Sequence, residues 1–194
     1  MEVDQLISHA PKFAVLGSAR EADNSPVAQL AFELGQEIGS IGGILLTGGC
    51  PGLPHMAASG ARATNGLTVA VSPGASRTEH TQRYGYPVDS DVMIFTGMGN
   101  KGRNVILVQS ADICIFIGGG IGTLNEFTIA FDELSEKNII GILSKSGGLS
   151  NTFQDLASLT NRMPKAPIVT DEAPRVLVEK ALSEFDLRGK IAGR

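Results

Sequence analysis

Short runs of β-branched and aliphatic residues alternate with helix-length segments along the whole 194-residue chain. A strand that is apolar at every position is buried on both faces, which is typical of a parallel sheet covered by helices on two sides. Seven such strands are predicted, at 13–16, 44–47, 67–71, 92–95, 113–117, 139–143 and near 168–169. The sequence therefore predicts an α/β fold with a doubly wound, mostly parallel, Rossmann-like sheet, in one domain spanning residues 1–194.

Segments with helical periodicity fill the gaps between these strands. The first begins with Ser25 as its N-cap and Pro26 at its first helical position. The predicted helices cover about 26–39, 53–64, 100–109, 122–134, 152–159 and 173–184. One long connection, residues 72–91, has no clear pattern, and its length favours a functional loop. Its basic residues Arg77, His80 and Arg83 allow two interpretations, a solvated loop or a lid that meets an anionic ligand.

Glycine is the outlier of the composition, with 24 residues, and many of these glycines stand where a predicted strand ends. In an open α/β sheet, ligands bind outside the carboxyl ends of the strands. Glycine there lets backbone N–H groups approach the ligand, and the following helix N-terminus favours an anion. We therefore expect a phosphate-bearing small molecule at this edge, with contacts from Gly17, Ser18, Gly48 and Gly49 among others.

Two common phosphate-binding fingerprints are absent. The turn at 17–20, GSAR, is not G-x-G-x-x-G, and no acidic residue ends the second strand, which argues against a dinucleotide site. Residues 97–102, GMGNKG, do not match the G-x-x-x-x-G-K-[ST] pattern of a P-loop.

The composition excludes several other classes of protein. A formal net charge of −4 and the absence of tryptophan argue against a nucleic-acid partner. Two cysteines and three histidines show no ligand spacing, so we expect no disulfide scaffold and no metal site. The acidic N-terminus and the short apolar runs predict neither a signal peptide nor a membrane span, and we expect a cytoplasmic protein.

Residues 118–126, GGGIGTLNE, resemble the P-G-G-x-G-T-x-x-E motif of the LOG family of cytokinin-activating phosphoribohydrolases. That family also has an Arg nine residues before an Asp, a spacing held here by Arg103 and Asp112. Residues 47–53, TGGCPGL, look like its glycine-rich segment after the second strand. The resemblance covers most of residues 13–145. It implies cleavage of a nucleoside 5′-monophosphate to base and ribose 5-phosphate, with no required cofactor.

Three departures from the motif point to a sister branch. Gly118 replaces the leading Pro, Asn104 replaces a Lys, and Lys101-Gly102 stand where His-Glu are usual. The resulting pattern is similar to the molybdenum cofactor carrier proteins, which bind that cofactor without converting it. The resemblance thus implies a hydrolase first and, as the alternative, a carrier with the molybdenum cofactor as its bound ligand.

The resemblance also implies a role for each residue of the motif. Arg103 and Glu126 would be catalytic, since a fixed carboxylate can stabilise an oxocarbenium ion and orient water. The phosphate would lie on the backbone N–H groups and hydroxyl of Gly119, Gly120, Gly122 and Thr123. A homodimer is expected from the resemblance and from residues 105–108, VILV, which are apolar all round and need cover on two sides.

Overall fold

A computed structural model of the chain describes residues 10–159 and 162–191, and seven parallel strands form its sheet. The strands are β1 (Lys12–Gly17), β2 (Ile44–Thr47), β3 (Thr68–Ser72), β4 (Val92–Phe95), β5 (Ile113–Ile117), β6 (Ile139–Leu143) and β7 (Ile168–Asp171). Their order across the sheet is β4-β3-β2-β1-β5-β6-β7, and every neighbouring pair is parallel. The predicted doubly wound α/β fold is confirmed.

Helices fill the connections between these strands. They are α1 (Pro26–Ser40), α2 (Leu53–Ala63), α3 (Gly99–Gln109), α4 (Ile121–Glu133), α5 (Phe153–Leu159) and α6 (Pro174–Ile191). As predicted, the Ser25 side chain caps α1, accepting a hydrogen bond from the Ala28 N–H at 3.2 Å. Helix α6 runs past its predicted end at 184 because Phe185 is buried in the core and Arg188 pairs with Glu184 one turn away.

The core has two layers, one on each face of the sheet. On one face β1, β2 and β5 pack against α1, α2 and α6. On the other face the strands pack against α3, α4 and α5. There Phe127 stacks on Phe153 at 4.2 Å between ring centroids, and Phe116 meets both rings edge to face. Both faces of the sheet are therefore buried, as the continuous apolar strands require.

Two glycines let α1 and α2 touch backbone to backbone. A Cβ on Gly35 would lie 1.9 Å from the Ala57 carbonyl oxygen, and one on Gly60 would lie 1.9 Å from that of Phe32. No side chain fits into these gaps. These glycines are therefore required by helix packing and have no connection with the strand-end glycines of the ligand edge.

The strand order changes direction beside β1. Strands β1 to β4 progress towards one edge of the sheet, and the chain then crosses back to place β5 on the other side of β1. The crossovers flanking this point lie on opposite faces, so a crevice opens at the carboxyl ends of β1 and β5. Gly17 and residues 118–120 stand at this crevice.

Among residues 10–159 and 162–191, no helix has the length and apolar character needed to cross a membrane.

Candidate functional site

A cleft of about 540 Å³ opens at the switch between β1 and β5. Its walls include the turn after β1, the loop after β2, and the first turns of α3 and α4. Residues from these parts that line the cleft are Gly17, Ser18, Ala19, Arg20, Gly48, Cys50, Asn100, Lys101, Gly120, Ile121, Gly122 and Thr123. Tyr86, from the long loop between β3 and β4, also lines it.

A buried ion pair forms part of the cleft wall. Arg103 on α3 donates from Nη1 to Oε1 of Glu126 on α4 at 3.2 Å, and the two residues are only 5% and 7% exposed. Beside this pair, Asn104 donates to Asn125 at 2.9 Å, so the departure from Lys at position 104 gives a second polar link between the two helices.

Gly48 makes room for the Arg103 guanidinium. A Cβ at position 48 would lie 2.2 Å from the Arg103 Cζ atom. Any side chain there would displace the guanidinium from its position against the β2 loop. Gly48 therefore has two roles: it leaves space for the Arg103 guanidinium, and it lines the cleft.

The Glu126 carboxyl has a strongly shifted titration. Burial disfavours its charged form and raises its pKa to about 7, against the opposing effect of Arg103. A carboxyl that titrates near neutral pH can hold or release a proton under physiological conditions.

We expect this shift to appear as a pH dependence of stability. Between about pH 4.5 and 7 the native state holds a proton on Glu126 that the unfolded state has released. The free energy of unfolding should therefore fall as pH rises through this window, by an amount of the order of 3 kcal/mol. Urea titrations of the wild type and Glu126→Gln across this range measure it, because the variant lacks the titrating group. Parallel pH profiles for the two proteins would contradict the shift.

The N-terminus of α4 is open towards the cleft. Its N-cap residue, Gly120, provides no side-chain cap, so the first N–H groups of the helix have no partner from such a cap. A Cβ on Gly120 or Gly122 would meet no atom within 4 Å, which shows that space adjoins this turn. The turn itself is held from behind, because Leu149 and Ser150 donate backbone hydrogen bonds to the carbonyls of Gly119 and Gly118.

The structure brings together most of the residues predicted for the site. Those that line the cleft are Arg103, Glu126, Gly17, Ser18, Gly48, Gly120, Gly122 and Thr123. Gly49 and Gly119 do not line it: the α-carbon of Gly49 faces the His80 ring, and that of Gly119 faces the Thr123 side chain. Asp112 lies at the amino end of β5, where it pairs with Lys12, away from the cleft.

Several lining residues were missed or left open by sequence reasoning. Arg20 and Lys101 follow predicted glycine-rich turns, and their charge beside those turns was a usable signal. Tyr86 lies in the long loop, where no local pattern indicates it. Cys50 lines the cleft as a buried thiol, and burial raises its pKa to about 11, so it is protonated at neutral pH.

The charges around the cleft favour an anionic ligand. Arg20, Lys101 and Arg103 line it, whereas Glu126 is the single carboxylate among the described lining residues. This cationic site belongs to a chain with a net charge of −4, so the field is local to the cleft. No group of three or more His, Cys, Asp or Glu side chains within the described ranges could hold a metal ion.

An open parallel sheet with a cationic cleft at its switch point defines a Rossmann-like ligand-binding architecture. The chain belongs to the SLOG cluster 4 family, whose model matches residues 10–172. This assignment confirms, at the level of the superfamily, the resemblance carried by the motif at 118–126.

Known proteins similar to this chain extend the comparison. An uncharacterised protein of Archaeoglobus fulgidus is 36% identical over 105 residues, which are 54% of this chain and 64% of that protein. The match thus spans less than two thirds of that relative. The molybdenum cofactor binding protein of Rippkaea orientalis is 30% identical, with a TM-score of 0.71 over 91% of this chain and 98% of that one. The molybdenum cofactor carrier protein of Chlamydomonas reinhardtii is 26% identical, with a TM-score of 0.69 over 91% and 99%.

Proposed function

We propose that this chain binds a phosphate-bearing small molecule in the cleft and acts as a carrier of a molybdenum cofactor. The observation that carries the proposal is the uncapped N-terminus of α4 opening into a cleft with three cationic side chains. The likeness to the Rippkaea orientalis protein over nearly the whole of both chains supports the choice of ligand.

The phosphate of such a ligand fits the first turn of α4. Backbone N–H groups of Gly120 to Gly122 and the hydroxyl of Thr123 are the donors that a helix N-terminus offers to an anion. Arg20 and Ser18, from the turn after β1, line the same cleft and add a cation and a hydroxyl. Gly17 and Gly48 also line the cleft, and the space left by their missing side chains is taken by the Ile117 carbonyl oxygen and the Arg103 guanidinium. Gly49 and Gly119 would not contact the ligand directly; they shape the loops that carry these groups.

A second candidate function is hydrolysis of a nucleoside 5′-monophosphate to base and ribose 5-phosphate. The observation that favours it is Glu126, a buried carboxyl with a pKa of about 7 beside Arg103. In this reaction the bond between base and ribose breaks, the hydroxyl of a water molecule adds to the sugar carbon, and the base leaves with the bonding electrons and takes up the remaining proton of that water. An ionised Glu126 would stabilise the positive charge on the ribose and accept a proton from the attacking water.

Native mass spectrometry of the protein as purified, after expression in cells that make the molybdenum cofactor, tests the carrier function. We expect a bound mass equal to a pterin cofactor. A parallel assay measures release of free base from AMP and related monophosphates. An empty site together with base release would overturn the carrier and favour the hydrolase. Absence of both, and of any binding of AMP, would overturn the phosphate-ligand proposal itself.

We also propose that the chain forms a homodimer through the face formed by β4 and α3. Val92 and Ile94 of edge strand β4 are 44% and 45% exposed, on the sheet face that α3 covers. Val105 of α3 is 39% exposed, whereas Leu107 and Val108 on the same helix are fully buried within the chain. In the apolar stretch 105–108 of α3, one side is thus covered by the sheet and the other is open.

The same native spectra should show an assembly of twice the 20.3 kDa chain mass. Val105→Lys should shift the assembly to the single-chain mass, because it places a charge in the proposed interface. Leu187→Lys is the matched control, since Leu187 is 52% exposed on α6, away from this face. A single-chain mass for the wild type at micromolar concentration contradicts the dimer.

A further inference from the structure

The His80 side chain is completely buried, although it lies in the loop that the sequence marked as basic and polar. Its Nδ1 atom is 2.8 Å from the hydroxyl of Ser72, the last residue of β3. Its Nε2 atom is 2.8 Å from the carbonyl oxygen of Pro87, further along the loop. The imidazole therefore links the end of a core strand to the far end of the loop.

Both ring nitrogens of His80 have a hydrogen-bond partner. A carbonyl oxygen can only accept, so Nε2 donates its hydrogen to Pro87. The Ser72 hydroxyl accepts from the Gly74 N–H at 3.0 Å and shares a further hydrogen bond with Nδ1 at 2.8 Å. Both ring nitrogens of His80 thus have a hydrogen-bond partner within the chain, which fixes the ring orientation.

The same ring is packed on its remaining sides. A Cβ on Gly49 would lie 2.9 Å from the His80 Cε1 atom, so the glycine loop after β2 presses against the imidazole. Phe95 meets the ring edge to face at 6.2 Å between centroids. Tyr86 does so at 5.5 Å, and its backbone N–H donates to the His80 carbonyl at 3.2 Å. His80 thus contacts Tyr86 through both ring and backbone.

Tyr86 connects His80 with the cleft, because it contacts the imidazole and also lines the cleft. Within residues 79–87, which begin with a short π-helix at Glu79–Arg83, it is the one residue among the described lining residues. Its hydroxyl lies 3.4 Å from Oδ1 of Asn100 in the first turn of α3, and Tyr84 packs beside its ring at 5.7 Å. Burial raises the pKa of the Tyr86 hydroxyl above its usual value, as expected for a ring held against the protein.

We infer that His80 is a positioning residue that holds Tyr86 as an aromatic wall of the cleft, and that the ligand carries a flat heteroaromatic ring beside this wall. The inference about the ligand rests on the proposed function, since the phosphate site at α4 would hold the other end of the molecule. A ring stacked on a tyrosine gains affinity for any base-like heterocycle, because every such ring has a π-face.

The positioning role can be tested without a ligand. The chain has no tryptophan and two tyrosines, so in a Tyr84→Phe background Tyr86 is the sole tyrosine reporter. Replacing His80 with glutamine in this background should lower the pKa of Tyr86 towards the usual value of about 10. It should also raise the quenching of Tyr86 fluorescence by acrylamide. Ser72→Ala, which removes the hydrogen bond to Nδ1, should change both readouts in the same direction.

The ligand inference is tested with two probes that share a phosphate and differ in the ring, AMP and ribose 5-phosphate. We expect the wild type to bind AMP more tightly, and Tyr86→Ala to weaken AMP binding by about 5- to 100-fold while leaving ribose 5-phosphate unchanged. Tyr86→Phe keeps the ring and is the matched control, with little change. His80→Gln should weaken AMP selectively, and should add no further loss in the Tyr86→Ala background.

The outcomes separate this inference from the proposed function. An unchanged pKa and quenching of Tyr86 in both folded variants, His80→Gln and Ser72→Ala, overturn the positioning role whether or not a ligand binds. If AMP and ribose 5-phosphate bind equally and Tyr86→Ala changes neither affinity, the inference of a heteroaromatic ring is overturned. The proposed phosphate site is unaffected by this outcome. If neither probe binds and the native mass spectra show no bound pterin, the proposed function fails and the inference of a heteroaromatic ring fails with it, while the tyrosine titration still decides the role of His80.

Discussion

Replacing Glu126 with glutamine is expected to keep a phosphorylated ligand bound and to lower any release of base by about 10²–10³. Glutamine retains the size of the side chain but lacks the negative charge that would meet a developing oxocarbenium ion. The phosphate is proposed to lie on the first turn of α4, in the same cleft but on different groups. Its binding should therefore survive. Base release from AMP and equilibrium binding of AMP, measured side by side, check the two parts.

The contrast with Arg103→Ala makes this prediction specific. Arg103 is one of the three cations that line the cleft, so its loss should weaken binding of the anion as well as any turnover. Glu126→Gln should affect turnover alone. If the wild type releases no base and both variants differ only in affinity, the hydrolase fails and the carrier stands. If the wild type is active and Glu126→Gln is equally active, Glu126 is not the catalytic carboxylate.

Gly60→Ala is expected to lower the free energy of unfolding by about 1–3 kcal/mol. In an exposed helix the same change would stabilise, because alanine is the better helix former. Here the added methyl would stand 1.9 Å from the Phe32 carbonyl oxygen and 2.8 Å from its carbon, both backbone atoms. The two helices must separate to admit it, and separation loosens the core between α1 and α2. Urea unfolding with the slope and midpoint fitted together measures the loss.

Gly122→Ala is the matched control for this substitution. Gly122 also lies within a helix, but a Cβ there would meet no atom within 4 Å. Its unfolding free energy should stay at the wild-type value or rise slightly. Equal stability of Gly60→Ala and the wild type would show that the α1–α2 contact is looser than the structure describes.

The elements of this fold could be predicted because local sequence controls them. A continuous apolar run such as 113–117 can satisfy its burial only inside a sheet covered on both faces, and β5 has these bounds. Ser25 caps α1 because its hydroxyl reaches an N–H three residues away, a contact within one turn. The predicted helix ends were less accurate where tertiary packing extends a helix. In α6, for example, burial of Phe185 carries the helix past its predicted end.

The candidate site could be predicted in outline for a related reason. In a parallel sheet all carboxyl ends lie at one edge, so Gly17, Gly48 and Gly120 come together once the strands are known to be parallel. The site predicted from the sequence lacks Tyr86, because a loop sequence does not indicate which of its side chains points towards the cleft. The sequence also gives no direction for the Glu126 pKa, which depends on the depth of burial.

The sequence by itself determined the strands, the helices, their parallel arrangement and the glycine-rich edge, because each depends on periodicity and chirality within a few residues. Only the tertiary structure decided which residues meet across the fold. Arg103 and Glu126 pair because strand order sets α3 against α4, although 23 residues separate them. Gly60 packs against Phe32, and Gly49 against His80, for the same reason. Such contacts depend on the spatial order of the strands in the sheet, and the periodicity of the sequence does not determine that order.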